Sequence, residues 1–208
     1  MIRLLVATKN PGKLREYRAL LADLPVTWTS LQEVGLADMV VEETGATFEE
    51  NARLKARAYA QVSGLLTLAD DSGLEVEALG GAPGVESARY AGPGASDADR
   101  YHKLLAALGD TTARSARFRC VVAVATPAGA VHTADGVCEG HIGHAPRGDN
   151  GFGYDPVFVL AGRDLTMAEL SPAEKNQISH RARALAAARP ILARLVAEQA
   201  REGGSTIA

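Results

Sequence analysis

The run Asp70-Asp71-Ser72-Gly73 follows directly on an apolar stretch, residues 65–69. The stretch reads as a buried strand, and the four residues read as the place where it ends. In open α/β sheets, ligands collect outside the carboxyl ends of strands. Two adjacent carboxylates there repel each other unless a cation or hydrogen bonds compensate. Magnesium is the usual cation in a phosphate site, because it is hard and bridges to phosphate oxygens. The same residues also have the composition of an ordinary polar turn. A second source of carboxylate is Glu42-Glu43-Thr44-Gly45, which otherwise reads as a solvated acidic loop.

Thr8-Lys9-Asn10-Pro11-Gly12-Lys13 has the chemistry to hold phosphate. An apolar run over residues 2–7 ends there. Asn10 at the N-cap and Pro11 at the first helical position then open a helix. A helix N-terminus offers unpaired N–H groups and partial positive charge. Lys13 can add a full charge, and Thr8 and Asn10 can add hydrogen bonds. The spacing is not that of a P-loop, which needs Gly-Lys-Ser/Thr after a longer glycine loop. A plain capped junction with solvated lysines accounts for the residues as well. Gly151-Phe152-Gly153-Tyr154-Asp155-Pro156 sets two aromatic side chains among glycines. Such rings can stack on a nucleobase or simply join a core. Lys175 and Ser179-His180-Arg181 read by themselves as a solvated helix face. His102, His132, His141 and His144 show no metal-site spacing.

The elements that must position these residues are legible in outline. Leu14, Tyr17, Leu20, Leu21 and Leu24 continue the first helix at helical spacing. Residues 26–31 read as a second strand. Thr47 and Glu50 form a capping box for a helix from Phe48 to about Val62. Residues 80–94 are rich in Gly and Pro and read as a loop, and residues 96–108 as a helix. Residues 116–126 and 130–139 read as a hairpin turning at Pro127-Ala128-Gly129. Residues 141–150 read as loop and 155–160 as another strand. Ser171-Pro172-Ala173-Glu174 opens a helical region reaching about Gln199, and residues 201–208 read as a frayed tail. Strands and helices alternate early and a hairpin follows, so the fold class is α/β with a mixed sheet.

Length and composition bound the rest. The 208 residues, 47% hydrophobic and 23% charged, suffice for one large domain with its own core. Residues 1–200 read as a single domain, with no linker dividing it. Two cysteines make no disulfide framework, which points to a reduced, cytoplasmic setting. No apolar run approaches the ~20 residues needed to cross a bilayer, so no membrane partner is expected. A net charge of −3 argues against a nucleic-acid polymer as partner, since that requires clustered Lys and Arg. A small anion held with a metal fits this balance.

Taken together, six stretches resemble the inosine/xanthosine triphosphate pyrophosphatase family, which removes deaminated purine nucleotides. They are residues 7–13, 42–52, 69–74, 84–92, 151–156 and 174–181. Each is weak alone, but their order along nearly the whole chain is specific. The resemblance implies an elongated mixed β-sheet flanked by helices, two lobes with a deep central cleft, and a homodimer. It implies substrate contacts at Thr8, Lys9, Asn10, Pro11, Gly12, Lys13 and Ser72. It further implies them at Phe152, Gly153, Tyr154, Asp155, Lys175, His180 and Arg181. Lys9 stands where many members have glycine. The metal, Mg2+, falls to Glu42 and Asp71. Catalysis falls to Asp71, Asp70 and Lys13, by water attack on the α-phosphorus with pyrophosphate leaving. Either aspartate can serve as proton acceptor, since adjacent carboxylates are coupled. Two rivals remain: a Maf-like pyrophosphatase of modified pyrimidine triphosphates, and a non-catalytic nucleotide-binding regulator. The clustered carboxylates speak against the second.

The implied contacts carry a geometric consequence. On one straight helix, at ~100° per residue, His180 and Arg181 would sit about 140° and 240° around from Lys175. Three such directions cannot meet one ligand. A break is therefore expected between Lys175 and His180, with Ser179 as a second N-cap. His180 and Arg181 would then open the final helix. Donors there suit a purine with an oxygen at its six position, and meet adenine's amino group donor to donor.

Overall fold

The computed structural model describes residues 2–204. Among them the strands are β1 (Ile2–Val6), β2 (Val26–Ser30), β3 (Leu66–Val76), β4 (Ser115–Ala125), β5 (Val131–Ile142) and β6 (Phe158–Leu160). The helices are α1 (Pro11–Leu20), α2 (Phe48–Ser63), α3 (Asp97–Leu108), α4 (Pro172–Ile178) and α5 (His180–Gly204). The sheet order is β2-β1-β3-β4-β5-β6. β1 runs parallel to β2, with Leu4 opposite Trp28, and parallel to β3, with Leu4 opposite Leu66. β6 runs antiparallel to β5, with His141 opposite Val159. The sheet is mixed and the class is α/β, as the alternation of elements implies.

The chain forms two compact units. The first comprises Met1–Asp71, Val121–Asp135 and Ala184–Ala208, the second Ser72–Cys120 and Gly136–Arg183. The first has its core on β1 and β3, where Leu4, Leu5, Leu66 and Leu68 are fully buried. The second packs Leu74, Leu104, Phe118, Ile142, Phe158 and Met167 into one cluster. Cys120 and Cys138 are both free and buried.

Local signals place most helix starts. Asn10 caps α1 by accepting from Gly12 N (2.8 Å) and Lys13 N (3.1 Å). Thr47 and Ser171 form complete capping boxes with Glu50 and Glu174. The expected break is present: α4 ends at Ile178, Ser179 is extended (φ −65°, ψ 156°), and α5 begins at His180. The Ser179 hydroxyl accepts from Ala182 N at 3.2 Å, as an N-cap does.

Several boundaries differ from expectation. α1 stops at Leu20, short of Leu24, because Leu24 precedes Pro25 and a residue before proline disfavours helix. β5 continues through His141, read as loop, because residues 140–142 pair with β6. Asp155–Val157 is a 3-10 turn rather than strand, since the Asp155 carboxylate accepts from Phe152 N at 2.9 Å and folds the chain back. α5 reaches Gly204, so residues 201–204 are helix, while the rest of the expected tail, 205–208, lies outside the described residues.

The largest correction concerns Asp70-Asp71-Ser72-Gly73. These residues neither end a strand nor make a turn: they lie inside the eleven-residue β3. Gly73 is there for space. A Cβ at Gly73 would stand 2.3 Å from Ser87 Oγ and 2.5 Å from Gly84 O, so only glycine lets that loop cross the strand.

Candidate active site

Successive side chains on a strand point to opposite faces, so Asp70 and Asp71 diverge and each finds its own cation. In the first unit Lys13 Nζ lies 2.9 Å from Asp70 Oδ2, whose side chain is 1% exposed. The Asp71 carboxylate faces α2: Asn51 Nδ2 donates to its Oδ2 at 3.1 Å, and Lys55 Nζ lies 3.6 Å from its Oδ1. Lys55 also pairs with Glu43 at 3.0 Å. Asn51 accepts from Gly45 N at 2.8 Å, which ties the acidic loop to the same helix turn. Asn51 and Lys55 stand one helical turn apart and so share a face.

Three carboxylates, Glu43, Asp70 and Asp71, thus gather around two lysines. Burial works against the Lys55 ammonium, but Asp71, Asp70 and Glu43 outweigh it and hold its pKa above the ordinary value. Burial raises the Asp71 pKa, and Glu43 adds to the rise against the opposing pull of Lys55, Lys13 and Asn51. The cluster therefore carries excess negative charge and a carboxylate of raised basicity. Among the described residues no three His, Cys, Asp or Glu side chains form a metal cage. Magnesium does not need one, since it binds through one or two carboxylates plus waters and phosphate oxygens. A largely buried group with surplus carboxylate fits that habit.

At the turn before α1, the Thr8 hydroxyl accepts from Asn10 N at 3.2 Å. Asn10 Oδ1 is spent on the cap, which occupies two of the helix donors expected to be open and fixes its Nδ2 as the outward donor. Lys9 and Pro11 are exposed, while Gly12 is buried beneath the turn. Glu42 is exposed and is not drawn into the carboxylate group, whereas its neighbour Glu43 is.

The second unit assembles another group. Lys175 Nζ sits 4.7 Å from the Phe152 ring centroid, and Arg181 Cζ 5.7 Å from it, so two cations meet one aromatic ring. Asp155 Oδ2 receives both Phe152 N and Lys175 Nζ. Gly151 is required here: its φ is +79°, and a Cβ would stand 2.0 Å from Asp155 Oδ2. Gly153 N donates to Asp97 Oδ2 at 2.7 Å. Arg181, 1% exposed, donates from Nη2 to Ser72 Oγ at 2.9 Å. Phe152 remains half-buried, but Tyr154 turns into the core and donates to Ser87 O at 2.9 Å. His180 lies flat on Phe118, with centroids 4.8 Å apart and planes at 16°.

The structure thus brings Lys13 and Asp70 together, sets Asp71 beside Asn51 and Lys55, and joins Phe152, Asp155, Lys175, Arg181 and Ser72. Lys55 and Asn51 were missed by sequence reasoning. Their signal was a helical (i, i+4) pair of polar residues behind the Thr47 cap, on the helix that follows the acidic loop. Among the described residues, no helix is long and apolar enough to cross a membrane.

Known proteins share this arrangement of sequence and fold. A dITP/XTP pyrophosphatase of Syntrophobacter fumaroxidans is 57% identical over 182 residues, covering 88% of this chain and 78% of the relative. The dITP/XTP pyrophosphatase of Bacillus subtilis is 48% identical over 183 residues, covering 87% and 92%. A HAM1 protein structure from Coxiella burnetii matches with a TM-score of 0.84 at 47% identity, covering 93% of this chain and 100% of that one. The sequence model of the Ham1 family matches residues 4–191. This chain belongs to the Ham1 family.

Proposed function

We propose that this protein hydrolyses non-standard purine nucleoside triphosphates (the inosine, deoxyinosine and xanthosine forms) to the monophosphate and pyrophosphate. The carrying observation is its likeness over most of its length to proteins named dITP/XTP pyrophosphatases. The two residue groups supply chemistry that suits the reaction. Lys13 and Lys55 bring fixed positive charge to phosphate, and Thr8, Asn10 Nδ2 and Lys9 add donors at the turn. Asp71 would hold Mg2+ together with Glu43, which shares Lys55 with it and takes the place expected of Glu42; when bound, the ion neutralises charge on the phosphate oxygens. Asp71 takes the proton of the water that attacks the α-phosphorus: its raised basicity suits that role. Asp70 is closely paired with Lys13, which suits it to orienting that lysine. Lys13 offsets charge on the departing pyrophosphate.

The base falls to the second group. The half-buried Phe152 ring offers a stacking face, Lys175 and Asp155 hold it, and His180 and Arg181 stand at the start of α5. A guanidinium rewards an oxygen at the purine six position. An adenine amino group placed there leaves a buried donor unpaired, at about 1–3 kcal/mol.

The test is pyrophosphate release across a panel of triphosphates with magnesium. Inosine, deoxyinosine and xanthosine triphosphates should be consumed well ahead of the standard four. Preference for modified pyrimidines would favour the Maf-like reading, binding without turnover a regulator, and stepwise release of single phosphates would place attack at the γ-phosphorus. We further propose a cytoplasmic homodimer. Sedimentation at micromolar concentration should give twice the 21.8 kDa chain mass, and a monomer mass would refute it.

A further inference from the structure

The stretch 84–92 shares the family pattern but has no part in the reaction so far. Its centre, Ser87, is buried, and every polar atom of its side chain and carbonyl is used. Ser87 Oγ accepts from Leu74 N at 2.9 Å and donates to Gly84 O at 2.6 Å. Its carbonyl accepts from the Tyr154 hydroxyl at 2.9 Å. Burial pushes the Tyr154 pKa up, so that hydroxyl stays protonated and keeps donating. Gly73 is bare so that Ser87 can approach β3 this closely.

These contacts close a circuit within the second unit. Arg181 holds Ser72 at 2.9 Å. Two residues along β3, Leu74 is held by Ser87. Ser87 holds Tyr154, and two residues before Tyr154 the Phe152 ring lies beside Arg181 again. Ser72 and Arg181 form one side of the proposed base site and Phe152 the other.

We propose that Ser87 is a positioning residue for base selection, closing this circuit so that the Ser72–Arg181 side keeps a set spacing from Phe152. Ser87 touches no substrate. It acts through Leu74 and Tyr154, and the inference rests on the functional reading above. A purine is discriminated by where donors meet its six position, so slack in the circuit costs discrimination before it costs phosphate binding.

The experiment compares kcat/KM for inosine and adenosine triphosphates in wild type, Ser87→Ala, Tyr154→Phe and the double variant, with Tm and inhibition by inorganic pyrophosphate measured alongside. Ser87→Ala should lower the inosine-to-adenosine ratio by about tenfold, since it orphans the buried Leu74 N–H, and leave pyrophosphate inhibition unchanged. Tyr154→Phe keeps the packed ring and removes only the hydroxyl, so it reads the circuit even if Ser87→Ala folds poorly. Its ratio should fall by about threefold. Two cuts in one circuit should not multiply, so the double variant should fall short of the product of the singles. A lower Tm with an unchanged ratio in Tyr154→Phe would make the link merely structural and overturn the proposal, as would full multiplicativity. A wild type without preference for the inosine form would overturn the functional reading itself, which the variants cannot mimic.

Discussion

The Lys13–Asp70 and Lys55–Asp71 pairs of the first unit and the Lys175–Asp155 pair of the second are all largely withdrawn from solvent, yet they are built differently. In the first unit, carboxylates outnumber lysines, the lysine side chains keep 14% and 12% exposure, and Asp71 is left with raised basicity. In the second, the exposures are 5% and 3%, and one carboxylate oxygen serves both an ammonium and a backbone N–H. Burying charge costs desolvation, so a buried pair is a poor source of stability. What it gives is different in the two places. The first group keeps a charge imbalance that an arriving cation and phosphate can redress. The second uses its charges to hold the Phe152 turn in shape. The one suits the chemistry proposed for the phosphates, the other the discrimination proposed for the base.

Substitutions should therefore separate rate from selectivity. The largest effect is expected for Asp71→Asn, with kcat lowered on the order of 100-fold or more, as loss of a general base does, and the inosine-to-adenosine ratio kept. Near-normal turnover at saturating magnesium would remove Asp71 from the chemistry. Next comes Lys13→Ala, which should lower kcat as well as raise KM because charge on the leaving group grows in the transition state. It should also lower stability by on the order of 3 kcal/mol, since Asp70 is left buried without its cation. Lys9→Ala, at an exposed position, should do much less of either, and equal losses in kcat and Tm from the two lysines would break the distinction. Smaller, and opposite in kind, Arg181→Ala should cut the inosine-to-adenosine ratio about tenfold while pyrophosphate release still depends on Asp71. A variant that kept full preference would take Arg181 out of recognition.

What could be read in the sequence was local. Asn10-Pro11, Thr47 with Glu50 and Ser171 with Glu174 announce helix starts because a cap is satisfied within four residues. The break at Ser179 was legible only through the resemblance: it implies that Lys175, His180 and Arg181 meet one ligand, and helical angles forbid them from sharing one face. What escaped was set by distant partners. Asp70-Asp71-Ser72-Gly73 reads as the end of a strand because its composition is that of a polar turn, yet its glycine answers to Ser87, fourteen residues on. Lys55 gains its meaning from Glu43 and Asp71, neither within a helical turn of it. Tyr154 looked like half of an aromatic pair, but its hydroxyl is claimed by a loop far back in the chain.

The first unit is assembled from three stretches of chain, the last of them beginning at Ala184. Ala184, Leu185, Ala188 and Leu192 are buried, and Arg189 reaches back to Asp23 and the Leu20 carbonyl. During synthesis, β1, α1 and α2 leave the ribosome long before the segment that completes their core. A nascent chain holds an unfinished apolar surface until the segment from Ala184 has been translated, and its contacts are of high sequence separation, which slows folding. A chain truncated before α5 would therefore carry every carboxylate proposed for catalysis, yet its first unit would lack the helix that finishes its core.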